Sequence, residues 1–226
     1  MAPLATVVIP IHDGERFLAD ALRSVADQAL DLEVIVIDDG STDASAAIAV
    51  GHGVICLRQA QAGPAAARNA GIAAATAPLV AFLDCDDLIP PGALLRQIEH
   101  LTQDPAIDGV LGMQSYEVLD GVALPAWAVA DRVGEPGEVS RPSVFAGVFR
   151  RELFERVGPF DPDLRLSEDL DWLMRANEAG ATIEVRDDVG RVRRIHGGNL
   201  TYDTDGLRRS MLDALGRRVR RKRAVS

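Results

Sequence analysis

The sequence predicts an α/β protein with three layers, an α/β/α sandwich in which helices cover both faces of a mainly parallel central sheet. Short apolar runs rich in β-branched residues alternate with helix-spaced segments as far as Leu101. The run 79–83 is apolar without a polar break, which is typical of a strand that is buried on both faces. Acidic residues follow two of these strands, at the end where open α/β sheets bind their ligands.

The first half of the chain predicts four strands with helices between them. The strands are predicted at residues 6–9, 32–37, 54–57 and 79–83. Phe17, Leu18, Ala21, Leu22 and Val25 recur at helical spacing after the first strand. A second helix follows the turn 38–43, and a third spans 65–75, with Pro64 in its first turn and Pro78 preventing its continuation.

The second half is less regular. Strands are predicted at 109–113, 115–119, 144–149 and 182–185, and helices at 151–157 and from Glu168 to Ala179. Residues 123–142 are too many for an ordinary connection and are expected to cover or shape a site. An arginine-rich segment then leads to His196. With 226 residues, of which 47% are hydrophobic, we expect one domain over 1–203 and a C-terminal tail over 204–226.

Three carboxylates follow the fourth strand within four positions, at Asp84, Asp86 and Asp87. Their mutual repulsion is costly unless water or a cation relieves it, and Mg²⁺ or Mn²⁺ would accept carboxylate oxygens while leaving positions for phosphate oxygens. The alternative is a solvated turn before an acidic helix start. Asp38 and Asp39 end the second strand, so all five acids are expected at one rim of the sheet.

Composition excludes several classes of protein. Neither common glycine-rich phosphate motif is present, so metal and arginine would have to hold any phosphate. Two cysteines and four histidines without a Cys-x-x-Cys pair argue against a zinc site. The net charge of −10 argues against nucleic acid as a partner. Without an apolar membrane span or signal region in the sequence, we expect a cytoplasmic protein.

Several ordered motifs carry a resemblance to a known family. They are Val-Val-Ile-Pro with Gly14-Glu15-Arg16, the turn 38–43, Gly63-Pro64 with Ala67-Arg68-Asn69-Ala70-Gly71-Ile72, Asp84-Cys85-Asp86-Asp87, Val157-Gly158-Pro159-Phe160-Asp161, and Glu168-Asp169 with Asp171 and Arg175. In this order and spacing, the chain resembles a family-2 glycosyltransferase of the GT-A fold from about Thr6 to Thr201.

The resemblance implies roles for particular residues. It implies that the loop after the first strand, with Pro10, His12 and Glu15, and the turn at Asp38 and Asp39 hold the nucleotide base. Arg68 would fix nucleotide or phosphate, and Asp84 would contact ribose and metal. The implied metal ligands are Asp86, Asp84, Asp87 and His196. Asp169 would be the catalytic base, with Glu168 beside it. Many relatives carry Tyr-Asn where this chain has His12-Asp13, which leaves the base-stacking partner and the identity of the base open.

The resemblance implies an inverting, metal-dependent transferase that moves a single sugar from a nucleotide-diphosphate donor, with a UDP-sugar favoured, to a hydroxyl acceptor. A lipid-linked and a peptide acceptor both remain open. A non-catalytic nucleotide-sugar binding module is the first alternative, although it would not need Asp169. A sugar-phosphate nucleotidyltransferase is the second, but the glycine-rich loop and basic residue expected of it are missing between Pro10 and Glu15.

The C-terminal segment predicts an amphipathic basic helix. Leu207, Met211, Leu215 and Val219 fall at intervals of four, with Leu212 beside them. Eight basic residues and one acid between 208 and 223 give this segment a charge of +7, so the rest of the chain carries −17. Either the apolar stripe packs on the domain or on a second subunit and leaves the arginines solvated, or the helix attaches to an anionic membrane surface.

Overall fold

A computed structural model describes residues 2–135, 138, 140–164 and 166–225. The strands are β1 (Ala5–Ile11), β2 (Leu32–Asp38), β3 (Ile55–Arg58), β4 (Leu79–Phe82), β5 (Gly109–Val118), β6 (Arg141–Arg150) and β7 (Ile183–Ile195). The helices are α1 (Leu18–Ala26), α2 (Ser45–Gly51), α3 (Pro64–Ala74), α4 (Ala93–Gln103), α5 (Ala126–Ala130), α6 (Arg151–Val157), α7 (Glu168–Glu178) and α8 (Thr204–Val225), with a short 3-10 turn at Leu200–Tyr202.

The seven strands form one sheet in the order β3-β2-β1-β4-β6-β5-β7. Only β6 runs against its neighbours among these strands, since it is antiparallel to both β4 and β5. The remaining pairs are parallel. The predicted α/β fold with a mainly parallel sheet is therefore confirmed, and the carboxyl ends of β1, β2, β4 and β7 point to one rim.

Hydrophobic residues pack on both faces of the sheet. On one face, Val7 and Ile9 of β1 pack with apolar residues of α1 and α4. On the other face, Val8 packs with α3, α6 and α7, where Trp172 is fully buried. Successive residues of β1 thus enter opposite cores, as the alternation of side chains along a strand requires. This explains why the central strands read as uninterrupted apolar runs.

Three elements differ from the sequence-based expectation. β1 continues past Pro10, because Pro10 and Ile11 still pair with Ile37 and Asp38 of β2. The two strands predicted at 109–119 are one strand, β5, with an irregular register near Gly112. The arginine-rich segment belongs to β7, which has 13 residues and pairs along β5. Its arginines interrupt the apolar pattern that marks a strand. Arg186, Arg191 and Arg194 pair with acids, whereas Arg193 contacts the Thr201 hydroxyl and the Trp127 ring.

The C-terminal helix α8 packs on α7 mainly through residues outside the predicted apolar stripe, of which Leu207 alone is half-buried. Ala214 is buried, whereas Met211, Leu212, Leu215 and Val219 are 43–60% exposed. The prediction that the stripe packs on the domain is therefore wrong for these four residues. Within the described residues, no helix combines the length and apolar character needed to cross a bilayer.

Gly71 gives a test of how closely α3 approaches the sheet. A Cβ at this position would lie 2.2 Å from Val8 Cγ1, whereas one at Gly51, the last residue of α2, would have no atom within 4 Å. We expect Gly71→Ala to lower the free energy of unfolding by about 1–3 kcal/mol relative to Gly51→Ala, because a buried methyl group forces β1 and α3 apart. Urea unfolding followed by circular dichroism measures the difference, and equal midpoints would show that the interface has room.

Candidate active site

An open cleft of about 1500 Å³ lies at the carboxyl rim of the sheet. Its walls come from the ends of β1 and β4, the start of α3, the start of α7 and the segment after β7. Ten of the sequence-predicted site residues line it: Pro10, His12, Asp39, Arg68, Asp84, Asp86, Asp87, Glu168, Asp169 and His196. Residues separated by up to 186 positions in the sequence therefore meet in one cavity.

The three acids after β4 form a compact cluster. Asp84, Asp86 and Asp87 each offer one carboxylate oxygen, and the three oxygens lie within 4.8 Å of one another. Both side-chain contacts of Asp86 use Oδ2, which lies 2.9 Å from Nε2 of His196 and accepts a 3.0 Å hydrogen bond from the amide of Asn199. This leaves Oδ1 of Asp86 for a cation, and a set of carboxylate oxygens suits a hard divalent ion.

Asp87 is the least suited of the three acids to bind a metal. It is 2% exposed, and its Oδ1 accepts the Arg194 backbone N–H at 2.9 Å, while its Oδ2 lies 3.2 Å from the Arg191 guanidinium. Burial raises the pKa of Asp87 to about 7 despite the charge of Arg191. Both oxygens connect the loop after β4 to β7, so the geometry supports a structural role for this side chain.

Arg68 joins the acidic cluster to the start of α7. Its guanidinium donates to Asp84 Oδ1 and to Glu168 Oε1, each at 2.5 Å, and it lies 3.9 Å from the centroid of the Phe145 ring. The residue is only 4% exposed, so it is not a solvated surface arginine. Burial raises the pKa of Glu168 to about 7, with the Arg68 charge acting in the opposite direction.

Asp169 is the acid at the start of α7 that is freest to act on a ligand. It lines the cleft, is half-buried, and uses Oδ1 to accept the Leu170 N–H at 2.8 Å. Its pKa is raised, chiefly because burial disfavours the charged form. By contrast, Glu168 is held by Arg68, and Asp171 is 1% exposed and receives Arg175 and Arg221, each at 2.8 Å.

Two predicted donor-binding residues are not among those that line the cleft. Asp38 is fully buried, and its Oδ1 accepts the Ser41 N–H at 2.7 Å, so it holds the turn after β2. Glu15 accepts the Ala44 N–H at 3.0 Å beside the start of α2. For these two residues the structure supports a role in shaping the loops rather than in contacting a donor.

Asp39 and His12 occupy the base-binding end implied by the resemblance. The Asp39 carboxylate accepts hydrogen bonds from the Gln59 amide and from the backbone N–H groups of Ala62 and Gly63, at 2.7–2.8 Å. His12 Nδ1 lies 3.0 Å from the Asp39 carbonyl oxygen, and its Nε2 lies 3.0 Å from the Gln61 amide nitrogen. This network fixes the loop that precedes α3.

Sequence reasoning missed several residues of the cleft. Arg191 and Arg193 of β7 both line it, and Arg191 donates to Asp84 at 3.0 Å and to Gln114 at 2.9 Å. Asn199, which contacts Asp86, follows β7. Two arginines separated by one residue lie on the same side of a strand, so period-two spacing could have identified the pair if the segment had been recognised as a strand.

Comparison with known proteins identifies the family. The family model described as Glycosyl transferase family 2 matches residues 6–158, which is more than half of the chain. The chain belongs to glycosyl transferase family 2. The succinoglycan biosynthesis protein ExoU of Rhizobium meliloti is 30% identical over 216 residues, which cover 86% of this chain and 63% of ExoU. This family-2 chain therefore spans less than two thirds of that relative's length.

Solved structures confirm the GT-A fold of this family-2 protein. The mannosyltransferase PcManGT from Pyrobaculum calidifontis, in complex with GDP-Man and Mn²⁺, matches with a TM-score of 0.67 and 22% identity, over 97% of this chain and 65% of that one. S. aureus TarS in complex with UDP-GlcNAc matches with a TM-score of 0.64 and 20% identity, over 88% and 60% of the two chains. At these identities the likeness extends to the fold.

Proposed function

We propose that this protein transfers a single sugar from a nucleotide-diphosphate sugar to a hydroxyl acceptor, with inversion at the anomeric carbon. The observation that carries the proposal is the connected set Asp84, Arg68 and Glu168, which ties the acidic cluster to the helix start that presents Asp169. One cleft therefore contains a group of carboxylates suited to a cation and a separate carboxylate suited to a proton.

The donor end of the cleft would hold the nucleotide diphosphate. We propose Asp86 and Asp84 as the residues that bind Mn²⁺ or Mg²⁺, with His196 beside Asp86. When bound, such an ion stabilises the negative charge that develops on the departing diphosphate. Arg191 and Arg193 add positive charge on the wall formed by β7. PcManGT and TarS bind GDP-Man and UDP-GlcNAc, which supports a nucleotide sugar here, and we favour a UDP-sugar.

Asp169 would accept the proton of the acceptor hydroxyl. As that proton moves to the carboxylate, the hydroxyl oxygen forms a bond to the anomeric carbon from the face opposite the diphosphate, and the bond from that carbon to the phosphate oxygen breaks. Attack from the opposite face inverts the configuration. The raised pKa of Asp169 makes its carboxylate a better proton acceptor than a fully solvated aspartate.

A non-catalytic nucleotide-sugar binding module is the first alternative. It would use the acidic cluster but would not require Asp169 to stay available in the cleft. A sugar-phosphate nucleotidyltransferase is the second, and the loop 10–15 has no glycine-rich run with a basic residue to favour it. The acceptor, whether lipid-linked or a peptide, and the cytoplasmic location stay predictions.

A screen of nucleotide-diphosphate sugars tests the proposed function. Thermal unfolding and release of nucleoside diphosphate are measured for a panel of UDP- and GDP-sugars, with Mn²⁺, with Mg²⁺ and with a chelator. We expect at least one donor to stabilise the protein and to be hydrolysed slowly, in both cases only with metal. Stabilisation without any hydrolysis, in wild type and in Asp169→Asn alike, would favour the binding module.

A further inference from the structure

Helix α8 contacts the domain through its arginines. Arg221 donates to Asp171 at 2.8 Å and to Glu178 at 3.0 Å, Arg217 pairs with Asp161, and Arg218 lies 3.3 Å from Glu178. The buried Ala214 lies on the same face. Because these ion pairs hold one side of the helix against α7 and the preceding loop, they determine which side faces outward.

The outward side carries four of the five residues of the predicted apolar stripe, Met211, Leu212, Leu215 and Val219, whereas Leu207 is half-buried. At about 100° per residue, these four side chains span an arc of about 100° on the helix. They are 43%, 60%, 44% and 50% exposed, respectively. Exposed apolar side chains are ordinary when scattered, but four on one face of one helix form a contiguous patch that the described residues leave about half exposed.

Basic side chains lie within the arc of the apolar stripe and beyond one of its edges. Arg208 falls within the arc, and Arg223 and Arg209 fall about 20° and about 60° beyond that edge, where Asp205 also lies. All three are exposed, and none forms an ion pair with another residue in the described part of the chain. Asp205 and Asp213 are the acids on this helix, and Asp213 already pairs with Arg217. An apolar strip with a basic border matches the hydrocarbon edge and the anionic headgroups of a lipid surface.

We propose that this face of α8, the apolar stripe with Arg208, Arg209 and Arg223, docks on an anionic lipid bilayer as a helix lying parallel to the surface. A second copy of the chain fits this face less well. Four half-exposed side chains are few beside the roughly 20–30 residues per side of a stable interface. This docking does not depend on the proposed sugar transfer.

Co-sedimentation of the full chain with vesicles tests the proposal. Vesicles of equimolar phosphatidylglycerol and phosphatidylcholine are compared with vesicles of phosphatidylcholine alone, at low and at high salt. We expect binding to the anionic vesicles, with weakening by salt because exposed charges are screened. Absence of pelleting with anionic vesicles at low salt would overturn the proposal, and so would equal binding to both compositions.

Matched variants test whether vesicle binding depends on the apolar stripe or on exposed apolar side chains in general. Leu212→Gln with Leu215→Gln is expected to weaken vesicle binding by about tenfold or more, because the apolar contact is lost. Val50→Gln, on α2, removes a side chain that is 68% exposed elsewhere and is expected to change nothing. Arg208→Gln is expected to weaken binding by about fivefold, while Arg23→Gln on α1 leaves it intact.

Sedimentation equilibrium without vesicles tests whether a second copy of the chain covers this face instead. We expect the full chain to show no self-association that depends on Leu212 and Leu215. A concentration-dependent dimer that Leu212→Gln with Leu215→Gln abolishes, together with unchanged vesicle binding in that variant, would assign the face to a second copy and overturn the membrane proposal. Circular dichroism of each variant verifies that α8 and the fold are retained.

Discussion

Replacing Asp169 with asparagine is expected to lower turnover by roughly 10²-fold or more while donor affinity stays near that of the wild type. The amide has nearly the shape of the carboxylate but cannot accept the proton of the acceptor hydroxyl. Donor affinity is retained because the acidic cluster and Arg68 are untouched. Steady-state kinetics of nucleoside diphosphate release and calorimetric titration of the donor measure the two quantities separately.

Asp171→Asn is the matched control for this variant. Asp171 lies two residues further along α7, but it is buried and holds Arg175 and Arg221. We expect its replacement to lower stability, because its two arginine partners lose a buried counter-charge, and to leave the turnover of folded protein near normal. If Asp169→Asn turned over at a near-normal rate, the base would be another group, and Glu168 would be the next to test.

Replacing Asp86 with alanine is expected to abolish the metal-dependent part of donor binding. The change removes the oxygen best placed for a cation and the partner of His196 and Asn199. Without the ion, the negative charges of the diphosphate would lie beside Asp84, so repulsion replaces attraction. Isothermal calorimetry of nucleoside diphosphate with and without Mn²⁺ measures the effect in wild type and variant.

The control for this measurement is Asp27→Ala, at the exposed end of α1 and outside the cleft. It has the same change of charge, and we expect it to keep the full metal dependence. Equal affinity of the wild type with and without metal would contradict the metal role. Retained metal dependence in Asp86→Ala would instead transfer that role to Asp84.

The sequence predicted the elements that carry the site well, and the reason lies in their patterns. The run 79–83 is buried on both faces, so it contains no polar residue until Asp84 begins the acidic cluster. Helix α6 has the predicted bounds, and α7 begins at Glu168 as expected. In each case the local pattern and the tertiary packing favour the same structure.

The sequence could not predict features that depend on partners distant in the chain. The predicted strand ends at Val185, although β7 continues to Ile195, because arginines hide the strand pattern. Arg191 is buried because Asp84 and Asp87, more than 100 positions away, are its ion-pair partners. The side of α8 that packs on the domain could not be predicted for a similar reason. Its hydrophobic pattern favoured the leucines, whereas ion pairs with Asp161, Asp171 and Glu178 select the arginine face.

The sequence also predicts the roles of the individual acidic residues only in part. Asp38 and Asp87 follow strands just as Asp39 and Asp86 do, and composition does not distinguish them. The structure separates Asp86 from the others, since it is half-buried and its carboxylate contacts side chains, whereas Asp38, Asp39 and Asp87 are almost fully buried with oxygens bound to backbone N–H groups. Such contacts depend on the path of the turns, which a spacing argument does not contain.

The central claim, metal-dependent inverting transfer through Asp169, is tested most directly by proton NMR of donor turnover in the presence of Mn²⁺. With a donor whose sugar is α-linked and water as the acceptor, the anomeric proton of the released sugar reports the configuration before mutarotation. We predict that the β-anomer appears first, that chelation stops its appearance, and that Asp169→Asn slows it by roughly 10²-fold or more. First appearance of the α-anomer, or turnover that continues after chelation, would contradict the account.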